Sequence, residues 1–461
     1  MVEWQAEIEP FFEKVVSKIP AGFKASVVPM LRKAAEERCA DRNSPYISKD
    51  DIMVGMFDIV PEAFKPQVIE DLTSVGIDPQ RWIDLKEIKD RYKLSWDKME
   101  RAFHPGNIHF AMYVTDRCNM KCMHCGALNE DNPIREELST EDWKKIMDNL
   151  EAGLRAKGQH ATFVWFGGEP TCREDITELI KYAGDKGYYQ ALITNGVLFD
   201  EKFAKHCSEN GMSHVFTSFE SADPEKNDRI RGFKNSLEYA KKSIKNCLKY
   251  GLFSCVSTTV MHLNVDELQD IKDLALKWGA QPYFRAIVRQ RNAAKNWDNI
   301  GLTQEDYKKL YHFKYDYVIE KIRNGKAGEL PAYEIFEMVP FMECPLNDTE
   351  MTALEWGVGC QACRTLMGID INGDIFPCGY PSELILGNAL EDKFIDVIES
   401  KIYKDIRDRK NRKGKCGSCH HLEMCGGGCR VHAECETGDY FESFSYCWHQ
   451  TDHEHTIESK E

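Results

Sequence analysis

Apolar positions in the first 80 residues recur with a helical period. Ile8, Phe11, Phe12, Val15 and Val16 show the spacing of one buried helix face, and no stretch alternates as a strand would. This pattern predicts a helical N-terminal domain over residues 1–80. The charged stretch 81–106 carries a few aromatic residues and is interpreted as a linker that packs on the next unit.

From residue 108 onward, short apolar runs alternate with amphipathic segments. The apolar runs predict six strands, at Ile108–Thr115, Ala161–Phe166, Tyr189–Thr194, His214–Phe219, Phe253–Val260 and Pro282–Val288. The segments between them have helical spacing, so the pattern predicts parallel βα units with right-handed crossovers. Six units are too few for an eight-stranded barrel. The predicted fold class is therefore α/β, with a partial (β/α)6 TIM-like barrel over residues 107–300 and active residues at the C-terminal ends of its strands.

The remaining chain divides into three parts. Residues 301–340 are predicted to be a helical connector, residues 341–450 are rich in Cys and Gly with little regular periodicity, and residues 451–461 form a tail. Within the Cys-rich part, the run Ile369–Cys378 has apolar residues around Asn-Gly and predicts a β-hairpin.

Composition and charge narrow the class of protein. The 461 residues are 42% hydrophobic and 29% charged, which is ordinary for globular domains, and no run has the length of about 20 apolar residues that a membrane span needs. A net charge of −15 argues against a nucleic-acid surface. The N-terminus lacks the pattern of a signal peptide, so a cytoplasmic protein without nucleic-acid or membrane partners is predicted.

Eighteen cysteines depart from ordinary composition. Cys118, Cys122 and Cys125 follow directly on the first predicted strand, spaced C-x3-C-x2-C. Three thiolates on one loop can hold three irons of a [4Fe–4S] cluster and leave the fourth iron for a small chelating molecule. A zinc site is the alternative, but it needs a fourth ligand nearby, and His124 lies between two of the cysteines, where its reach is poor.

This loop, at this place in a partial barrel, resembles that of the radical S-adenosylmethionine (radical SAM) enzymes. The resemblance implies that the open iron binds the methionine part of SAM. It further implies that one electron cleaves SAM to methionine and a 5′-deoxyadenosyl radical, which abstracts hydrogen from a substrate. An external one-electron reductant, similar to flavodoxin or ferredoxin, is also implied. The family has an aromatic residue near the adenine just before the last cysteine, and that position here is His124.

Further motifs at the strand ends match the same family. The run Gly167-Gly168-Glu169-Pro170 resembles the motif that holds the SAM amino group. The resemblance also implies cofactor contacts at Asn195 after the third strand, at Ser218 and Glu220 after the fourth, and at Arg231 beyond them. An ordinary turn for the first motif, and structural polar roles for the other residues, are the alternatives.

The C-terminal cysteines match the spacing of the family's SPASM extension, which carries auxiliary iron–sulfur clusters. Eight thiolates suffice for two fully ligated [4Fe–4S] clusters. By resemblance, one cluster takes Cys360, Cys363, Cys378 and Cys429, with Cys344 as a substitute ligand, and the other takes Cys416, Cys419, Cys425 and Cys447. Structural zinc ribbons are the alternative for these pairs.

The substrate is less defined than the chemistry. SPASM relatives mostly modify peptides or proteins, which favours oxidation or crosslinking of a peptide side chain. Modification of a tetrapyrrole side chain in heme-type biosynthesis is the alternative, because residues 12–52 weakly resemble a helical segment of protochlorophyllide reductase subunits. An iron–sulfur electron-transfer protein is the non-enzymatic alternative.

Overall fold

The computed structural model describes residues 4, 6, 8–41, 47, 49–77, 79, 108–128, 133–323, 359–419 and 421–449. The predicted linker at 81–106, Cys344 and the tail at 451–461 lie outside these residues. In the described part of the chain, no helix has both the length and the apolar character needed to cross a bilayer.

The N-terminal region is helical, as predicted. Its helices are α1 Glu9–Val16, α2 Ala21–Asp41, α3 Lys49–Ile59 and α4 Lys65–Ser74, with a short 3-10 helix at Glu62–Phe64. Phe12, Leu31, Ile52 and Phe57 are among the residues that close its core. No strand occurs in the described residues before 108.

A twisted parallel sheet forms the centre of the molecule. Its first six strands are β1 Ile108–Tyr113, β2 Ala161–Phe166, β3 Tyr189–Thr194, β4 Met212–Ser218, β5 Phe253–Val260 and β6 Gln281–Ala286. Neighbours in sequence pair in parallel throughout. The predicted partial (β/α)6 barrel is confirmed, with the bounds of β2, β3 and β5 as predicted and those of β1, β4 and β6 displaced by one to two residues.

Helices follow the strands and cover the outer face of the sheet. They are α5 Thr140–Arg155, α6 Ile176–Asp185, α7 Glu201–Glu209, α8 Pro224–Arg231, α9 Ser236–Lys249, α10 Leu268–Lys277, α11 Arg291–Lys295, α12 Trp297–Ile300 and α13 Gln304–Arg323. Short 3-10 helices lie at Pro170–Cys172 and Val265–Glu267. Several of these helices begin at a capping side chain: Asp223, for example, accepts a hydrogen bond from the Lys226 amide and so fixes the start of α8.

The C-terminal region adds two strands to the same sheet. Strand β7, Leu366–Ile369, pairs in parallel with β1, and β8, Ile375–Phe376, pairs antiparallel with β7. The order across the sheet is β6-β5-β4-β3-β2-β1-β7-β8. The hairpin was predicted, but its pairing with the barrel was not, because nothing local in the sequence specifies a partner more than 250 residues away.

The cysteine-rich region continues in short helices around the hairpin. They are α14 Phe394–Glu399, α15 Lys401–Arg407, α16 Gly414–Gly417, α17 Leu422–Cys425 and α18 Arg430–Thr437, with a 3-10 helix at Arg409–Asn411. Helix α14 packs on α5, where Phe394 lies edge-on to Phe110 of β1. The hydrophobic core of the barrel is therefore continuous with that of the C-terminal region.

Candidate active site

The cysteine loop after β1 is held by backbone hydrogen bonds to two segments, the turn after β2 and the end of α8. On one side, the Gly168 amide donates to the Thr115 carbonyl (2.6 Å) and the Glu169 amide donates to the Arg117 carbonyl (2.8 Å). A Cβ added to Gly168 would lie 2.3 Å from the Arg117 oxygen, so only glycine permits this approach. On the other side, the Met123 amide donates to the carbonyl of Ile230, at the end of α8.

A cavity of about 210 Å³ opens at the C-terminal edge of the strands, directly against this loop. All but one of the residues predicted from the sequence to bind SAM or its cluster line it: Cys118, Cys122, His124, Cys125, Gly167, Gly168, Glu169, Asn195, Ser218, Glu220 and Arg231. Pro170 does not line the cavity, and instead starts the 3-10 helix behind Glu169. The sequence motifs thus converge on one place, as expected for parallel strands whose C-terminal ends share an edge.

Glu169 is the most firmly held acid of the cavity. Its side chain is buried, and its Oε1 accepts from the Thr171 amide and hydroxyl and from the Thr194 hydroxyl. Its Oε2 accepts from the Asn195 amide at 2.7 Å. Burial raises the pKa of Glu169, while these hydrogen bonds act in the opposite direction. The carboxylate is therefore fixed in position before any ligand arrives.

A second acid, Glu220, lies between the side chains of Arg231 and His124. Arg231 Nη1 donates to both carboxylate oxygens at 3.1 and 3.2 Å, and His124 Nε2 lies 3.3 Å from Oε1. Although burial opposes ionisation, these two neighbours lower the pKa of Glu220 to about 2. The contacts among these three side chains connect the cysteine loop to α8 and to the end of β4. Asn195 connects the end of β3 to the same loop, since its Nδ2 donates to Asn119 Oδ1 at 2.6 Å.

The three loop cysteines are partly buried, and their ionisation requires a compensating positive charge. Burial raises the pKa of Cys118 to about 12 and raises those of Cys122 and Cys125 as well, with Arg231 acting in the opposite direction on all three. Ligands must be thiolates, so a cationic group has to compensate their buried charge. Iron in a cluster would supply that compensation.

Four of the C-terminal cysteines lie together: Cys416, Cys419, Cys425 and Cys447 line one small cavity with Phe444 and glycines. Near the hairpin, the Cys363 amide donates to the Pro377 carbonyl beside Cys378. Burial raises the pKa of the Cys363 thiol, and the nearby Cys360 and Cys378 act in the same direction. Cys429 packs on the hydrophobic core that contains Cys363. No disulfide joins any of the cysteines that the structure describes.

Comparison with known families agrees with this geometry. Residues 112–275 match the radical SAM superfamily, and residues 360–420 match the SPASM iron–sulfur cluster-binding domain. The chain is a radical SAM enzyme with a SPASM extension. Its cofactors are SAM and [4Fe–4S] clusters, and its chemistry is that of a radical oxidoreductase.

This radical SAM enzyme is similar to two kinds of characterised enzyme, heme synthases and mycofactocin maturases. It is 27% identical over 343 residues to an AdoMet-dependent heme synthase of Methanosarcina barkeri, an alignment that covers 73% of this chain and 95% of the relative. It is 29% identical over 322 residues to the mycofactocin maturase MftC of Mycolicibacterium smegmatis, which covers 68% of this chain and 76% of the relative. Among solved structures, Streptococcus suis SuiB bound to S-adenosylmethionine has the same fold, with a TM-score of 0.56, 19% identity, and coverage of 87% of this chain and 93% of SuiB.

Several cavity residues were missed in the sequence. Arg285 of β6, Tyr113 of β1 and Tyr380 of the C-terminal hairpin all line the cavity. Arg285 carried a recognisable signal, a charged residue inside an otherwise apolar strand. Tyr380 gave none beyond its place two residues after Cys378, because only the pairing of β7 with β1 brings that hairpin to the cavity.

Proposed function

We propose that this enzyme holds its SAM-binding cluster on Cys118, Cys122 and Cys125 and binds SAM in the adjoining cavity. The observation that carries the proposal is the convergence of the cysteine loop, the Gly-Gly-Glu turn and the polar ends of β3 and β4 on one cavity. When bound, the reduced cluster and SAM supply a 5′-deoxyadenosyl radical that abstracts hydrogen from the substrate.

The residues of the chain hold and orient the cofactor. Glu169 accepts the SAM ammonium, because it is a buried carboxylate beside the glycines that allow close approach. Ser218 and Glu220, at the end of β4, would hold the ribose of SAM, and His124 would lie against its adenine, since all three line the cavity. Arg231 keeps Glu220 ionised and fixes its orientation, in addition to lining the cavity itself.

We also propose two auxiliary [4Fe–4S] clusters. One is held by Cys360, Cys363, Cys378 and Cys429, and the other by the four cysteines of the small cavity, Cys416, Cys419, Cys425 and Cys447. Cys378 belongs to the segment that carries Tyr380, and the Tyr113 hydroxyl donates to the Gly379 carbonyl between them at 2.8 Å. The residues proposed for the first auxiliary cluster therefore adjoin the cavity, and a cluster held there would be placed to accept an electron from the substrate. An external flavodoxin- or ferredoxin-like protein would reduce the SAM-binding cluster.

For the substrate we propose a tetrapyrrole with carboxylate side chains. The heme-synthase relative is matched over 95% of its own length, and the cavity is lined by aromatic rings that suit a flat conjugated ligand: Tyr113, Phe166, Phe216, Tyr283 and Tyr380. The described N-terminal residues are helical, without the strands of a winged-helix domain that binds leader peptides. A peptide side chain is the second candidate, favoured by the similarity to the mycofactocin maturase.

The two substrate classes can be separated with the full-length, anaerobically reconstituted protein. Coproporphyrin III and its iron complex are titrated, and Soret shifts report binding. The same compounds, deuterated on their propionate side chains, are then incubated with SAM and dithionite. Deuterium in 5′-deoxyadenosine supports the tetrapyrrole. Formation of 5′-deoxyadenosine without porphyrin binding or label transfer rejects the tetrapyrrole and leaves the peptide, which is then sought as a short Cys-containing peptide encoded beside the gene.

A further inference from the structure

A segment of three glycines, residues 426–428, joins Cys425 to Cys429, which we propose to hold different auxiliary clusters. A Cβ added to Gly426 would lie 3.2 Å from the amide nitrogen of Cys360, and that amide donates to the Cys425 carbonyl at 3.1 Å. Side chains that bind this glycine segment therefore lie beside the cysteines proposed for the first auxiliary cluster.

Two buried arginines hold the glycine segment through backbone carbonyls. Arg412 Nε donates to the Gly426 carbonyl at 3.0 Å, and its Nη2 donates to the Ile406 carbonyl at 2.8 Å. Arg430 donates to four carbonyls, those of Gly427, Gly428, Tyr440 and Glu442. Within the part of the chain that the structure describes, neither arginine forms an ion pair with a carboxylate.

The two arginines also lie close to each other. A Cβ added to Gly427 would lie 3.3 Å from Arg412 Cδ and 3.3 Å from Arg430 Nη2. Burial lowers the pKa of Arg412, Cys360 acts in the opposite direction, and the charge of Arg430 adds to the effect of burial. Two like charges are thus buried side by side, and an anion beside them would offset the cost of burying both.

Asp439 does not supply this anion. It forms an ion pair with Lys413, and Lys413 lowers the pKa of the Asp439 carboxyl more than Arg430 does. The negative charge that Arg412 and Arg430 require must therefore come from another group, and the nearby thiol of Cys360 indicates a thiolate-bound one.

Two buried donors in this region lack an acceptor. Among the described residues, neither Arg412 Nη1 nor the Tyr440 hydroxyl has a hydrogen-bond partner. Tyr440 belongs to the same hydrophobic core as Cys363, and Cys360 and Cys378 pack against that core. Burial raises the pKa of Tyr440, and the three cysteines act in the same direction. A buried donor without an acceptor is costly, so a missing acceptor is expected beside these cysteines.

A [4Fe–4S] cluster would supply both the negative charge and the acceptors. Its sulfurs accept hydrogen bonds, and these bonds help to set its reduction potential. We infer that Arg412 Nη1 and the Tyr440 hydroxyl donate hydrogen bonds to sulfurs of the first auxiliary cluster. This inference rests on the proposed function, which places that cluster on Cys360 and three further cysteines, and it assigns the residues that tune the cluster.

The direction of the effect follows from charge. Reduction adds one electron to a cluster that is already negative, so hydrogen-bond donors and cations stabilise its reduced form more than its oxidised form. Arg412, Tyr440 and the charge of Arg430 therefore raise the midpoint potential of the first auxiliary cluster. A raised potential suits a cluster that accepts an electron from the substrate.

The test measures midpoint potentials of the full-length anaerobic protein. The three loop cysteines are replaced by alanine in every protein compared, so that EPR-monitored redox titration reports the auxiliary clusters alone. Tyr440→Phe, Arg412→Lys and Tyr188→Phe are made in this parent chain. Tyr188 is a matched control, because it is a buried tyrosine of the same core whose hydroxyl donates to Asp148 at 2.7 Å. Iron is determined for each protein and should be about eight per chain.

Tyr440→Phe keeps the ring and loses one donor, so one of the two midpoints should fall and the other should stay. We expect the electron-transfer equilibrium of that cluster to change by about threefold to tenfold, at about 59 mV per factor of ten. Arg412→Lys should lower the same midpoint, because it keeps the charge and loses the planar fork that carries Nη1. Tyr188→Phe should change neither midpoint.

A spectroscopic measurement separates a hydrogen bond from a change of structure. After exchange into D2O, pulsed EPR of the reduced parent chain should detect deuterons coupled to one auxiliary cluster, and Tyr440→Phe should weaken that signal. A parent chain whose auxiliary clusters show no coupled exchangeable deuteron would contradict the inference without any variant.

The outcomes distinguish this inference from the proposed function. If the parent chain holds its iron but neither Tyr440→Phe nor Arg412→Lys moves a midpoint, the inference fails while the auxiliary clusters stand. It also fails if Tyr188→Phe lowers a midpoint as much as Tyr440→Phe does, because the shift would then not depend on the place of the hydroxyl. A parent chain without auxiliary iron overturns both the inference and the proposed clusters.

Discussion

Replacement of Glu169 by glutamine tests the cavity most directly. The side chain keeps its size and loses its charge, so the ammonium of SAM would face a neutral amide. A carboxylate offers about four lone-pair positions, and the structure gives three hydrogen bonds to Oε1 but one to Oε2. Oε2 is therefore the atom with room to accept the SAM ammonium.

The size of the effect follows from that one contact. A hydrogen bond to a charged group contributes about 1.5–3 kcal/mol, which corresponds to a rise of roughly 10- to 150-fold in the Kd of SAM. Thr194→Val removes one of the donors to Oε1, so it should weaken SAM binding by a smaller factor. Both are measured by equilibrium dialysis of radiolabelled SAM against the anaerobic protein.

Glu151 provides a matched control at the N-terminal ends of the strands, away from the cavity at their C-terminal ends. It is also a buried carboxylate, bonded to His160 Nδ1 and to the Ala161 amide, where β2 begins. Glu151→Gln should leave the Kd of SAM unchanged. If Glu169→Gln keeps full iron content and binds SAM within about twofold of the wild type, the assignment of Glu169 to the ammonium is wrong.

Three further predictions concern the clusters and the fold. Anaerobically prepared protein should hold about twelve irons in three clusters. Replacing the three loop cysteines by alanine should remove about one third of the iron, as measured by elemental analysis. Stoichiometric zinc in place of iron would contradict the prediction. Burial lowers the pKa of His432 to about 4 from its usual 6.5, so the unfolded chain takes up a proton first as the pH falls. The free energy of unfolding should then fall by about 1.3 kcal/mol between pH 7.5 and pH 5.5, and thermal melts of His432→Asn should depend less on pH. Arg135 donates hydrogen bonds to Asp116 after β1 and to Asp370 after β7. Arg135→Lys should therefore lower the free energy of unfolding by about 1–3 kcal/mol. An unchanged denaturant midpoint would show that the contacts of Arg135 do not stabilise the fold.

The strands of the barrel could be predicted because their signal is local. Strands β2 and β3 are largely buried, mainly apolar runs that are followed directly by Gly167 and Asn195, so the length and end of each strand can be read from its own residues. The cysteine loop was equally local, with three ligands inside eight residues. The strands and the cysteine loop could both be predicted because the residues that define each of them are close together in the sequence.

Contacts between distant segments could not be predicted in this way. The close approach of Gly168 to Arg117, and the pairing of Glu220 with Arg231, depend on backbone positions set by the whole sheet. The N-terminal helices give another example. They meet the barrel where Tyr189 begins β3 and where Lys49 bonds Asp185 at the end of α6, which is the edge opposite the cavity.

The joining of the hairpin to the barrel determines how the clusters can work together. Strand β1 leads into the cysteine loop that we propose to hold the SAM-binding cluster, and β7, paired with β1 over four residues, leads through the hairpin to Cys378. Arg135 fixes Asp116 and Asp370 to each other just beyond these two strands, so the two cysteine-bearing segments are held by both backbone and side-chain bonds. A substrate bound between them would meet the radical on one side and an electron acceptor on the other without a domain movement. Loss of the first auxiliary cluster should accordingly disturb the wall of the cavity as well as electron transfer.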